Sequence, residues 1–64
     1  MDVGLKIKKL RLKLGWSQEE LASKSGLSRV TISKLENGTQ KITTNKTLAM
    51  LGEALGCEAS YFLE

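Results

Sequence analysis

The chain has 64 residues, which allows one domain over residues 1–64, and a domain of this size buries only about 60% of its unfolded surface, so we expect marginal stability. The hydrophobic content of 41% is ordinary. Because no apolar run nears the roughly 20 residues of a membrane span or resembles a signal peptide, we expect a cytoplasmic protein without a membrane partner. One cysteine and no histidine exclude an internal disulfide and a zinc site, so we predict no metal and no cofactor.

The first predicted helix covers about residues 3–14. Ile7, Leu10 and Leu14 recur in it at the spacing of one helix face, which predicts the stripe that the helix buries. A glycine at the next position ends the helix. Leu12 falls on another side, where it is either partly exposed or packed under the C-terminal segment.

The charged residues, whose formal sum is +3, are distributed unevenly. All ten Lys and Arg lie within residues 6–46, whereas residues 47–64 carry three glutamates and no base. A basic face attracts phosphate, and we expect the acidic end to point away from it. Four bases on helix 1 either belong to this face or simply solvate the helix: Lys6, Lys8, Lys9 and Lys13.

The second predicted helix begins at about Gln18, because Ser17 and Glu20 have the S-x-x-E spacing of a capping box. It ends at residue 24 or 25, because Gly26 can adopt the left-handed conformation that a β-carbon makes costly. Ala22 lies on the inward face, where a small residue lets another helix cross closely. The third helix therefore packs directly against the second.

Ser28 is the predicted cap of this third helix, which ends at Asn37 and the glycine that follows. Ile32 and Leu35 lie three apart on its buried stripe. Thr31 lies between the two faces. The side chains that turn outward are Arg29, Val30, Ser33, Lys34 and Asn37.

A polar connection over residues 39–44 precedes the fourth predicted helix, for which Thr44 is the cap. The buried stripe of this helix is Leu48, Leu51 and Leu55. Gly52, inside it, costs about 1 kcal/mol against alanine, so we expect a close backbone approach there. Residues 59–63 form one last turn. The predicted fold is all-α, a compact bundle of four to five short helices in which helices 2 and 3 form a helix-turn-helix.

These two helices resemble the helix-turn-helix of the lambda-repressor and Cro-like DNA-binding family. Counted from Gln18, the family's alanine is fifth, its glycine ninth, its branched aliphatic residue fifteenth and its leucine eighteenth: Ala22, Gly26, Ile32 and Leu35. The likeness covers nearly the whole chain, including Leu14-Gly15, Glu36-Asn37-Gly38 and Ala54-Leu55-Gly56. It departs from the family at residues 39–44, a connection about one residue longer, with Thr43 where many members have proline.

The resemblance implies that the helix at residues 28–37 enters the major groove and contacts bases through Arg29, Val30, Ser33 and Lys34. The chemistry of these side chains agrees with this prediction. Arginine can donate two hydrogen bonds to guanine, and lysine can bind guanine as a point charge. Valine can contact a thymine methyl, and serine can hydrogen-bond to more than one base. The alternative is an exposed polar helix face with one surface valine.

Gln18 resembles the family's glutamine that holds a phosphate at a helix N-terminus, where N–H groups and the helix dipole favour anions. Its alternative role is simple solvation. Further predicted phosphate contacts are Asn37, Thr39, Lys41 and Lys46. Arg11 and Glu36 resemble a family pair in which an arginine of helix 1 bridges to the end of the recognition helix, a structural role.

The predicted homodimer interface is the C-terminal turn around Ala59, Tyr61 and Phe62, with Phe62 or Tyr61 at its centre. Family members of this type commonly pair through this end, and an acidic end opposite a basic face suits a two-fold dimer on DNA. The alternative is that the turn closes the core of the monomer.

The leading functional prediction is a sequence-specific transcriptional regulator of Cro, repressor or controller type, which binds double-stranded DNA at a palindromic operator as a homodimer. A second class is a protein-interaction module of the same fold, an antitoxin or co-activator, but Arg29 and Lys34 disfavour the apolar or acidic third helix that this class requires. An enzyme with a small-molecule substrate finds no support, because the sequence lacks histidine, a phosphate loop and a carboxylate pair in an apolar setting.

Overall fold

The structure is a computed structural model that describes residues 3–41 and 44–64. In these ranges the chain forms α1 (Val3–Lys13), α2 (Gln18–Ser25), α3 (Arg29–Asn37), α4 (Asn45–Leu55) and a C-terminal 3-10 helix (Ala59–Leu63). The predicted all-α class is confirmed. None of the helices in the described ranges is long and apolar enough to cross a membrane.

Local signals determine where α2 begins and ends. The Ser17 hydroxyl accepts a hydrogen bond from the Glu20 N–H at 3.1 Å, and the Glu20 carboxylate accepts one from the Ser17 N–H at 3.0 Å. Gly26 follows α2 with φ 79° and donates its N–H to the Ala22 carbonyl. Both the predicted capping box and the left-handed glycine are confirmed. Hydroxyl caps from Ser28 and Thr44 begin α3 and α4 in the same way.

The core receives side chains from every helix. Its buried members are Ile7, Leu21, Ile32, Leu35, Leu48, Leu51, Leu55 and Phe62. These buried residues confirm the predicted stripes of α3 and α4, because residues three or four positions apart lie on one face of a helix. α3 packs against both α1 and α2, while α4 packs against α2 and the 3-10 helix.

The predicted stripe of α1 is only partly correct. Ile7 is buried and Leu10 is partly buried against the core, but Leu14 is 46% exposed. α1 ends at Lys13, and Leu14 lies in the turn that follows the helix. Leu12 is exposed as well, which decides between its two predicted positions.

Both predicted roles of the α1 lysines are wrong for Lys6, because its side chain is neither solvated nor part of a face that attracts phosphate. It is 2% exposed. Its ammonium donates hydrogen bonds to the Tyr61 carbonyl at 2.8 Å and the Glu64 carbonyl at 2.9 Å, and it lies 4.9 Å from the centroid of the Tyr61 ring. A buried charge needs such partners, and these attach the 3-10 helix to α1.

Gly52 marks a close backbone approach, as predicted. A β-carbon built at this buried position would lie 2.6 Å from the carbonyl oxygen of Cys57. The chain reverses direction there, since the Cys57 N–H donates to the Gly52 carbonyl at 2.8 Å. Glycine is therefore required by space, because its φ is not in the left-handed region.

Phe62 corrects the predicted centre of the dimer interface. It is 1% exposed and belongs to the monomer core, and its ring packs edge-on against Tyr61 with the centroids 5.7 Å apart. A side chain without exposed surface cannot anchor a partner. Ala59 and Tyr61 are partly buried against the core, and Leu63 beside them is 69% exposed.

Candidate nucleic-acid interface

The outer face of α3, defined as Arg29, Val30, Ser33 and Lys34, is open to solvent. Three of the four are exposed, Val30 at 57%, and Ser33 is half-buried. Ile32 and Leu35 on the opposite side hold the helix in the core. The structure therefore brings the four predicted base-contacting residues together on one accessible surface.

The turn between α2 and α3 sets the angle of this surface. The Ser25 hydroxyl donates to the Ala22 carbonyl at 3.4 Å and accepts from the Leu27 N–H at 3.3 Å. Ser25 is buried, so its hydroxyl satisfies polar backbone groups that the glycine turn leaves inside the domain. Sequence reasoning identified Gly26 but missed Ser25, although a serine just before a helix-ending glycine is placed to make such bonds.

Arg11 and Glu36 form the predicted bridge between α1 and the end of α3. The arginine Nε donates to Glu36 Oε2 at 2.7 Å, and Nη2 donates to Oε1 at 2.9 Å. This two-point geometry fixes both side chains. The remaining guanidinium nitrogen, Nη1, donates to the Trp16 carbonyl at 2.8 Å and so holds the start of α2 as well.

Gln18 joins this pair, because its amide Nε2 donates to Glu36 Oε1 at 3.2 Å. Burial by itself would raise the pKa of Glu36. Hydrogen bonds from Arg11 and Gln18, and the positive charges of Arg11 and Lys8, lower the pKa by more than burial raises it, so it lies below its ordinary value. The hydrogen bond to Glu36 raises the pKa of Arg11. Both groups are therefore charged at neutral pH.

A groove opens where α1, α2 and α3 meet, beside the outer face of α3. Its volume is about 210 Å³. We call it the three-helix groove, and its lining residues are Lys8, Arg11, Gln18, Ser33, Glu36 and Asn37. Three of these come from α3, so the groove and the outer face of α3 share an edge at Ser33.

The predicted phosphate-contacting residues fall into two groups. Gln18 and Asn37 line the three-helix groove, and the Asn37 side-chain oxygen accepts bonds from the N–H and the hydroxyl of Thr39 at 3.0 and 2.7 Å. Lys41, within the connection, and Lys46, in the first turn of α4, are both exposed. Thr43, the predicted departure from the family, lies outside the described residues.

Sequence reasoning did not separate Lys8 from its neighbours. Lys8 lines the three-helix groove, whereas Lys9 and Lys13 are exposed but do not line it. A signal was present, because positions three apart on a helix share a face, and Lys8 is three residues before Arg11, whose position the resemblance had assigned.

Residues 7–62 match the family model described as helix-turn-helix. The chain belongs to this family. The lambda-repressor and Cro-like resemblance is thereby confirmed, and the family is one of DNA-binding regulators and not of enzymes.

Two relatives are similar over most of this chain. The competence pilus inhibition repressor of Acinetobacter baylyi is 40% identical over 60 residues, which are 94% of this chain and 54% of that protein. An uncharacterized HTH-type transcriptional regulator of Bacillus subtilis, YqaF, is 38% identical over 91% of this chain and 75% of its own. The chain thus spans about half the length of the Acinetobacter relative.

Solved structures are also similar. The biofilm master regulator SinR, in complex with DNA, superposes with a TM-score of 0.91 at 27% identity, over 97% of this chain and 98% of that one. The wild-type restriction–modification controller protein C.Esp1396I gives a TM-score of 0.83 at 37% identity, over 97% of this chain and 78% of that one.

Proposed function

We propose that this chain is the DNA-binding part of a sequence-specific transcriptional regulator and that α3 enters the major groove of its operator. The observation that carries the proposal is the outer face of α3, where two exposed cations flank an exposed valine on a helix that an ion pair ties to α1. A regulator of this kind works on DNA, so we place the protein in the cytoplasm.

The base contacts follow from position along α3. Arg29 is the first residue of the helix, the end that penetrates the groove in helix-turn-helix proteins, and its guanidinium can fork onto the two acceptors of guanine. Val30 offers an apolar contact to a thymine methyl. Lys34, one turn further along, adds a weaker contact to guanine or to phosphate.

Phosphate contacts hold the register of this helix. The second amide N–H of Gln18 has no acceptor among the described residues, and it lies at the N-terminus of α2, where anions are favoured. Lys41 and Lys46, together with Thr39 beyond the end of α3, are the proposed contacts on the far side. Asn37 lies between the two sets.

We also propose that the regulator binds a palindromic operator as a homodimer, because one small domain offers few base contacts and useful specificity requires two half-sites. The proposed interface is Ala59, Tyr61 and the exposed Leu63, with the core residue Phe62 excluded. Two recognition helices would then lie about 34 Å apart, one turn of DNA.

The test of the proposed function is the base dependence of Arg29. A bound sequence is first selected from a random DNA pool, and Arg29→Ala is then titrated against every base variant of the half-site. We expect a loss of about 1–3 kcal/mol at one guanine and relaxed specificity at that position. Lys13→Ala, which removes the same charge from the end of α1, is the matched control and should retain base preference. Equal loss on all base variants would contradict direct contact by Arg29.

A further inference from the structure

We propose that the outer face of α1 binds a second copy of this chain at the C-terminal patch of that copy, and that a two-fold axis repeats this contact. The outer face of α1 is defined as Leu5, Lys8, Lys9 and Leu12. The C-terminal patch is defined as Glu58, Tyr61, Leu63 and Glu64. The inference rests on the proposed homodimer, and it assigns the surface of the partner that the 3-10 helix faces.

The outer face of α1 is both apolar and basic. Its four residues lie at positions i, i+3, i+4 and i+7, so they share one side of the helix. All four are exposed, Leu5 by 53% and Leu12 by 58%. Ile7 and Arg11 are buried on the other side. Because α1 contains no acidic residue, its own side chains leave the charge of the outer face uncompensated.

The C-terminal patch has the complementary character. Glu58 and Glu64 are exposed, and the exposed fraction of Leu63 between them is 69%. The only ion pair among the described residues joins Arg11 to Glu36. Within the described part of the chain, neither these glutamates nor the lysines of the outer face of α1 therefore have an oppositely charged partner.

The two surfaces lie side by side on one molecule. The Lys6 ammonium, one residue after Leu5, donates to the carbonyls of Tyr61 and Glu64 at 2.8 and 2.9 Å, so the 3-10 helix packs along one flank of α1. Successive residues are about 100° apart around a helix. Among the residues of the outer face, Lys9 is therefore the nearest to that flank.

A surface with a basic half beside an acidic half is self-complementary about a two-fold axis, because each half then meets the opposite half of the partner. Contact between the 3-10 helices alone would instead bring the glutamates of both copies together, and like charges across an interface are unfavourable.

The leucines favour a protein over DNA as the occupant of the outer face of α1. A phosphate backbone would supply anions for the lysines, but it would leave the apolar side chains in water. The reciprocal contact covers three of the five large hydrophobic side chains that are exposed among the described residues: Leu5, Leu12 and Leu63. Burial of such apolar surface favours association.

The first experiment reverses one charge on each surface and measures self-association by sedimentation without DNA. We expect Lys9→Glu to weaken self-association by about tenfold, since the two-fold axis repeats the changed contact. The variant also lowers the net charge of each copy, which is +3 in wild type and by itself repels the copies. Lys24→Glu, an equal change at an exposed residue of α2, is the matched control and should not weaken association.

Glu64→Lys should weaken self-association as well, whereas an equimolar mixture of Glu64→Lys with Lys9→Glu should associate as wild type does. In the mixed dimer, both repeats of the contact again join opposite charges. Failure of the mixture to associate, or equal weakening by Lys9→Glu and Lys24→Glu, would overturn the proposal. Thermal melts of each variant test whether the monomer remains folded.

The second experiment removes one leucine from the outer face of α1. Leu5→Gln should weaken self-association without a change in monomer melting, and Leu14→Gln, an exposed leucine in the turn after α1, should not. If Leu5→Gln and Lys9→Glu associate as wild type does while Leu63→Gln does not, the homodimer stands and α1 lies outside its interface. A wild type that remains monomeric would overturn both proposals.

Discussion

Removal of Glu36 should destabilise the domain more than any other substitution of a charged residue near the surface of α3. Glu36→Ala leaves the buried guanidinium of Arg11 with the Trp16 carbonyl alone, after two hydrogen bonds of 2.7 and 2.9 Å are lost. Breaking a buried ion pair on one side costs about 3–5 kcal/mol. A domain of 64 residues has a total stability of about 3–10 kcal/mol, so the loss is a large part of the whole.

The other effects of Glu36→Ala should stabilise the domain, whereas loss of the ion pair should destabilise it. Alanine has the highest helix propensity, and removal of an acid near the C-terminal end of α3 relieves an unfavourable interaction with the helix dipole. Any loss of stability therefore reports the bonds that Glu36 makes with Arg11 and Gln18. Because each kcal/mol shifts the melting temperature of a domain this small by about 4–8 °C, we expect a decrease of more than about 10 °C.

The matched control replaces the pair as a whole. Arg11→Met with Glu36→Leu in one chain leaves no unpaired charge, and such replacements are often neutral or stabilising. Thermal melts and urea titrations of wild type, Arg11→Met, Glu36→Leu and the double variant form a thermodynamic cycle. If Glu36→Ala melts within about 3 °C of wild type, the ion pair does not stabilise the domain and the argument is wrong.

The same pair predicts a pH dependence. The pKa of Glu36 is lower in the folded chain than its ordinary value, so its contribution is complete above the ordinary glutamate pKa of about 4.3 and is lost as pH falls through the folded value. The stability gap between wild type and Glu36→Ala should therefore be constant near neutral pH and narrow in acid. Urea titrations at pH 7, 4 and 3 measure it, and a gap that widens in acid would contradict the assigned sign.

Three other predictions concern stability and assembly. Gly26→Val places a β-branched residue at φ 79° and should cost at least about 1–2 kcal/mol in a thermal melt, whereas wild-type melting would contradict the turn geometry. Gly52→Ala should also lower the melting temperature, because its β-carbon meets the Cys57 carbonyl at 2.6 Å and this contact outweighs a propensity gain of about 1 kcal/mol. Leu63→Gln should weaken the homodimer in sedimentation without a change in monomer melting; a wild type that stays monomeric at micromolar concentration would exclude the interface.

The sequence was sufficient wherever the determining interaction is local. Ser17 bonds to a residue three positions away, and Gly26 is required by its own φ, so both could be recognised from spacing and residue type. The Arg11–Glu36 pair spans 25 positions, and it was expected only because the family resemblance supplied the partner. Sequence patterns alone contain no information about such a separation.

Lys6 and Phe62 show why two predictions were wrong. Lysine on a predicted surface helix is ordinarily solvated, and nothing near Lys6 in sequence indicates that carbonyl groups 55 and 58 positions away will surround its ammonium. Phe62 is buried in a core whose other members lie between residues 7 and 55, and nothing near it in sequence distinguishes a core phenylalanine from an interface phenylalanine. Both assignments therefore depended on long-range contacts at opposite ends of the chain.

The position of Glu36 connects stability with DNA binding. The nine residues of α3 span about 13 Å at 1.5 Å per residue, close to the width of the DNA major groove, about 12 Å. In the proposed complex, a helix of this length across the major groove would bring Arg29 at one end to the bases. Gln18 and Asn37, which line the three-helix groove at the other end, would then lie near a backbone strand. Glu36 fixes that second end through its bonds with Arg11 and Gln18, so we expect loss of its carboxylate to shift the proposed phosphate contact relative to the proposed base contact. Weaker binding by Glu36→Gln at a temperature where it remains folded, on specific and random DNA alike, would separate this positioning effect from instability.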